Sequence, residues 1–99
     1  MVNTVEQVNT RFKDINGDSI IAYFNIEDNI ITDDGWCLFE YYLKEQTPDK
    51  EALEPILIEY GCLLQDYNLE IWLDKPYEKS DMDRFAKCYQ KLQGLIKND

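Results

Sequence analysis

Met82, Phe85, Tyr89, Leu92 and Ile96 recur at spacings of three and four residues. That period puts all five on one face of a helix. Lys87, Lys91 and Lys97 fall towards its C-terminal end, where the helix dipole favours cations. Ser80, with Asp83 three residues on, reads as a capping box that opens it. An amphipathic helix of this kind needs a second layer to cover its apolar stripe.

Strands upstream supply that layer. Ser19 to Glu27 alternates with period two, with Ile20, Ala22, Phe24 and Ile26 on one face and Ile21 and Tyr23 on the other. Leu69 to Leu73 is a shorter strand, with Leu69, Ile71 and Leu73 on one face and Glu70 and Trp72 on the other. Lys75-Pro76 ends it. Trp36 to Leu43 is rich in aromatic residues that lose χ1 freedom in a helix, and it is expected to be a strand. As a strand it turns Cys37, Phe39, Tyr41 and Leu43 inward; as a helix it starts at Asp33 and brings Trp36, Phe39 and Leu43 together.

Turns and breaks divide these elements. Asn16-Gly17 favours a type I′ hairpin turn. Thr32-Asp33-Asp34-Gly35 is a second reversal signal. Thr47-Pro48-Asp49-Lys50-Glu51 reads as a helix start, with Thr47 as the cap and Pro48 at the first helical position. Leu53, Ile56, Leu57 and Tyr60 continue at helical spacing, Pro55 is expected to kink or shorten the helix, and Gly61 suits its left-handed end. Residues 1–15 are ambiguous: Val5, Val8, Phe12 and Ile15 have helical spacing in a segment of weak helix formers. A short helix or coil that becomes a strand before Asn16 is expected there.

Ninety-nine residues allow one acidic α+β domain spanning 1–99. The expected fold is a small, mostly antiparallel sheet of three to four strands, with two helices packed on one face. No stretch has the length and apolarity of a membrane span, and Met1 to Thr10 carries Glu6 and no apolar run, so a cytoplasmic location is expected. Cys37, Cys62 and Cys88 match no disulfide framework and no CxxC site, which suits reduced thiols packed as small hydrophobes.

Charge is the feature that bears on function. The net charge is −10, and the acidity is concentrated in the middle of the chain. From Asp14 to Leu43 there is no lysine or arginine, while Asp14, Asp18, Glu27, Asp28, Asp33, Asp34 and Glu40 fall within the same stretch. Direct contact with nucleic acid or anionic lipid needs clustered bases, so neither is expected. A basic protein is the expected partner, such as a nuclease or a nucleic-acid-binding protein. Whether the chain acts as a monomer or a dimer is left open by the residues.

No residue pattern names a reaction. The chain has no histidine, which removes His-based nucleophile pairs and almost every zinc site. Asp14-x-Asn16-x-Asp18 has the first spacing of a calcium loop, but Ser19 and Asn25 stand where that loop needs glycine and glutamate. Cys88 beside Lys87 is better read as a packed thiol than as a nucleophile. Carboxylate pairs arise by chance among so many acids, and a chain of this size offers little room for a substrate cleft. No catalytic residue, metal or cofactor is expected.

Aromatic residues divide between core and surface. Phe24, Phe39, Tyr60, Phe85 and Tyr89 occupy positions expected of a core. Trp36, Tyr41, Tyr42, Tyr67, Trp72 and Tyr77 are the interface candidates, because large amphipathic rings among acids suit a docking surface. Trp72 is outward unless a second helix covers that sheet face. The expected contact region is Asp28, Asp33, Asp34 and Trp36 at one sheet end, with Glu70, Trp72 and Asp74 as the second choice. A stoichiometric inhibitor, in the physical class of immunity proteins, antitoxins and phage-encoded inhibitors, accounts for these features. The rivals are an acidic chaperone or adaptor acting as a dimer, and a small-molecule binder or enzyme.

Overall fold

A computed structural model describes residues 4–97. It shows an α+β fold: a five-stranded antiparallel sheet with three helices. The strands are β1 (Val5–Lys13), β2 (Ser19–Asn25), β3 (Ile30–Thr32), β4 (Leu63–Gln65) and β5 (Asn68–Trp72). They lie in the order β1-β2-β3-β5-β4. The helices are α1 (Trp36–Leu43), α2 (Lys50–Tyr60) and α3 (Lys79–Gln93). Among the described residues, no helix is long and apolar enough to cross a membrane.

One face of the sheet holds the core. Ile20, Ala22, Phe24, Ile31, Leu69 and Ile71 are buried there. The α3 stripe covers them: Met82, Phe85, Tyr89, Leu92 and Ile96 are all buried, with Cys88 between them. Burying a side chain of this size contributes about 1.5–3 kcal/mol, so the stripe is the main reason the two layers stay together. Helix α1 packs on α3 and β5, and α2 packs on α3.

The sheet is larger than expected because short strands carry little periodic signal. Strands β3 and β4 have three residues each, too few for an alternation to be read. Strand β1 replaces the expected helix or coil over 5–13; the part of that expectation covering residues 1–3 lies outside the described residues. Its pairing with β2 is regular from Val5↔Asn25 to Asn9↔Ile21, then breaks at a bulge before Lys13↔Ser19. Arg11 sits in the bulge with φ 69°. Between Asn9↔Ile21 and Lys13↔Ser19 β1 carries two extra residues, and Val8, Thr10 and Phe12 are its less exposed positions, so the four-residue spacing of Val8 and Phe12 is strand alternation, an interval that a strand shares with a helix.

Other boundaries moved for local reasons. Of the Asn16-Gly17 pair only Gly17 is left-handed, so the turn is not type I′, which needs positive φ at both positions. Asp14 takes over instead, accepting the N–H groups of Asn16 at 2.8 Å and Asp18 at 2.9 Å on one carboxylate oxygen. Helix α2 begins two residues later than Thr47 suggests, because Asp49 caps it by accepting the Glu51 N–H at 3.0 Å. Pro55 lies inside that helix, on its exposed side. Gly61 has φ 66° and closes it. Helix α3 opens before Ser80: Asp81 accepts the Glu78 backbone N–H at 2.9 Å, so the capping residues stand two positions earlier.

The largest correction is α1, which is a helix and not a strand. Its strand-favouring residues are overruled by what flanks them and what they bury. Asp34 and Gly35 both have positive φ (59° and 84°), which turns the chain out of the sheet after β3. Cys37, Leu38 and Tyr41 then fall on one helical face and are buried, a pattern that strand alternation cannot produce.

Candidate protein-docking site

Asp33 is where the site is built. It is 0 % exposed, and its carboxylate accepts three backbone N–H groups: Gly35 at 2.8 Å, Cys37 at 2.8 Å and Leu69 at 2.9 Å. One side chain thus caps the start of α1 and ties it to β5. Burial nevertheless raises the Asp33 carboxyl above its ordinary 3.8, with these backbone bonds pulling the other way. Asp33 is therefore withdrawn from the docking set expected above: it is a structural anchor with no surface to offer.

With its inner face fixed, α1 presents aromatic rings to solvent. Trp36 is 54 % exposed, Phe39 41 % and Tyr42 74 %. They stand three residues apart, one helical turn each. The Trp36 and Phe39 rings meet edge to face at 5.5 Å, and Phe39 stacks on Tyr42 at 5.8 Å. Phe39, expected in the core, belongs to this ladder. Tyr41, expected at an interface, is buried instead, its hydroxyl donating to the Leu92 carbonyl. Burial pushes the Tyr41 phenol up to about 12.

The ladder borders a cleft of about 400 Å³ between α1, the β1–β2 loop and β2. Trp36, Phe39, Glu40 and Leu43 form one wall, Ile21 and Tyr23 another, and Asp14 and Asp18 the rim. The walls are held by side chains that sequence reasoning did not single out. Asn16 donates to Glu40 at 2.9 Å, clamping the loop to α1. Gln93 accepts the Ile15 N–H at 3.1 Å and donates to the Cys37 carbonyl at 3.3 Å. The expectation of a strand hid the ladder, although its signal is present: Trp36, Phe39 and Tyr42 are aromatic at every third position.

The remaining candidates separate into two places. Asp34 and Trp36 are exposed beside the end of β3. Asp28 lies at the opposite end of that strand, in the β2–β3 turn, where Asn25 donates to it at 3.3 Å. It is close to Trp72 and Asp74, because Ile30 pairs with Trp72 and the Leu73 N–H reaches the Asn29 carbonyl at 2.9 Å. Asp28 therefore belongs with the second set and not with Trp36. Trp72 is outward and 58 % exposed. Its indole N–H donates to Glu70 at 2.7 Å. Along β5 burial alternates: Leu69 and Ile71 are buried, Asn68 and Glu70 on the Trp72 side are half-buried, and Trp72 is exposed. Tyr67 is exposed at the β4–β5 turn, whereas Tyr77 is half-buried against Phe24 at 4.8 Å.

The thiols are packed inside the fold. Cys37, Cys62 and Cys88 are free and buried. Burial first, then the nearby Asp33 charge, pushes the Cys37 thiol well up. A hydrogen bond with Cys62, followed by burial, does the same for Cys88. Among the described residues, no group of three His, Cys, Asp or Glu side chains is placed to hold a metal ion.

No protein-family model matches this chain, and neither does any curated protein or solved structure.

Proposed function

We propose that this chain is a protein-binding protein, acting as a stoichiometric inhibitor that docks on a basic partner through the α1 ladder and the carboxylates around it. The observation that carries this reading is the exposure of Trp36, Phe39 and Tyr42 as one contiguous row on a helix whose other face is locked into the core. Rigid, pre-ordered aromatic rings lose little entropy on binding, and they are the residue types that dominate interface energetics. The surrounding field is mainly acidic: the stretch from Asp14 to Leu43 has no base, and Lys13, bonded to Ser19 at 3.1 Å, and Lys44, 4.0 Å from Glu40, flank it. Such a field speeds encounter with a basic surface, while the rings slow release. If the partner acts on nucleic acid, the carboxylates would compete for the positions its phosphates use. A net charge of −10 opposes pairing of two copies and favours a partner of opposite sign.

The test is retention of proteins from a cell extract on the immobilised chain, beside a Trp36→Ala/Tyr42→Ala variant. Basic proteins are expected on the wild type, released as salt rises from about 0.01 M to about 0.15 M, where screening shortens from about 30 Å to about 8 Å. The variant is expected to lose them. Retention of acidic proteins only, or equal retention by both columns, would remove the reading.

A further inference from the structure

We infer that the cleft beside α1 is a receptor for an arginine side chain of the docking partner. The inference rests on the docking reading above and names the chemistry of its anchor.

Three observations converge on a guanidinium. The cleft has no lysine or arginine in its lining, and Asp14, Asp18 and Glu40 all border it. Asp14 spends only Oδ1 on the loop's N–H groups, and the Asp18 carboxylate accepts no hydrogen bond from any described residue, so acceptors remain for an incoming cation. Trp36, Phe39 and Tyr23 line the same space, and aromatic faces attract a cation stacked on them.

The third observation is a gap in the sheet. Strand β2 has seven residues, but β3 pairs only with Tyr23, Phe24 and Asn25. The chain leaves the sheet at Asp33, so no strand flanks Ser19 to Ala22 on that side. Thr10 donates to the Ile20 carbonyl at 2.8 Å and the Ile26 N–H reaches Thr4 at 2.8 Å, so even-numbered residues of this stretch face β1. Strand alternation therefore turns both the Ile21 N–H and its carbonyl towards α1 and the cleft, and the carbonyl is the group a cation can use. A planar group with five donors fits carboxylates, a carbonyl and ring faces together; a lysine ammonium matches the charge but not the plane.

The inference is tested on the full chain, ¹⁵N-labelled and titrated with Nα-acetyl-arginine amide, against the lysine and citrulline analogues. Saturable shifts are expected at the amides of Asp18, Ser19 and Ile21 and at the Trp36 indole. Lysine amide is expected to bind several-fold more weakly, and neutral citrulline amide to leave these signals in place. Asp18→Asn and Trp36→Ala are expected to weaken the arginine response several-fold. Asp66→Asn removes the same charge elsewhere and is expected to leave it unchanged. Absence of saturable shifts, shifts spread equally over Asp28, Asp49 and Asp66, or an equal response to citrulline would overturn the inference. Loss of the arginine response alongside salt-sensitive retention of a basic partner would sink this inference alone and leave the docking reading intact.

Discussion

The Asp33 carboxylate accepts the Leu69 backbone N–H at 2.9 Å, joining α1 to β5 across 36 positions of chain. The same group serves Gly35 and Cys37. Asp33→Ala leaves three donors without a partner, two of them buried, at about 1–3 kcal/mol for each buried group. A loss of about 3–5 kcal/mol is expected in a urea melt on that basis. A loss under about 1 kcal/mol would mean that water replaces the carboxylate.

Acidity of the same group gives a second expectation. Burial raises the Asp33 carboxyl above 3.8, so the folded chain holds this proton to a higher pH than the unfolded chain. Between the two values folding takes up a proton, and this group's contribution to stability falls as pH rises; above the raised value the loss is complete and constant. Unfolding free energies of the wild type minus those of Asp33→Asn are expected to decline as melts are stepped upward from pH 3.8. An increase over that window would show that the backbone bonds outweigh burial.

Helix α3 is expected to be the main support of the sheet. Phe85 is fully buried in its stripe, and Phe85→Ala is expected to cost about 3–5 kcal/mol. A denaturant melt shifted by less than about 1 kcal/mol would contradict the packing of α3 on the sheet.

Gly61 is a backbone requirement. Its φ is +66°, and a Cβ there would lie 2.5 Å from Arg84 Nη1, the atom that donates to the Tyr60 carbonyl at 2.7 Å. Gly61→Ala is expected to cost at least the left-handed penalty of about 1–2 kcal/mol. A neutral melt would show that Arg84 moves aside and the backbone relaxes.

Trp36 separates binding from folding. Trp36 is 54 % exposed and meets only Phe39 edge to face among the described rings, so Trp36→Ala is expected to cost about 0.5–1.5 kcal/mol, the range of such a ring pair, well below the cost at Phe85. Dissociation from the partner is expected to quicken, whereas reversing Asp34 to lysine is expected mainly to slow association. Equal dissociation rates for wild type and variant in a surface-binding experiment would take Trp36 out of the contact.

The sequence disclosed what periodicity can disclose. The α3 stripe, the inward face of β2 as far as Phe24 and that of β5 are read directly from residue spacing, because each buries one face over several repeats; Ile26, expected on the same face of β2, lies past the end of the strand and is 55 % exposed. Strands β3 and β4 are too short to repeat, and in β1 the inward Val8 and Phe12, with the polar Thr10 between them, show a four-residue spacing that a strand shares with a helix. The identity of α1 was decided from outside its own residues. Its aromatic composition speaks for a strand, while Asp33 and the partners on α3 impose a helix. For the same reason the candidate surface was half legible. Trp36, Tyr42 and Trp72 are outward as expected, but Asp33 was grouped with them on charge alone, and a carboxylate serving backbone donors looks no different in sequence from a solvated one.

The two edges of the sheet are unequal, and each is difficult to extend. Strand β4 offers three residues, and β1 offers nine, interrupted by the Arg11 bulge, where Lys13 also reaches Ser19 at 3.1 Å. A second chain adding to β1 finds a regular register only as far as Asn9 before the backbone twists away. Cross-β growth from the native state therefore has little template to start from, and fibre formation by this protein requires the core to open first.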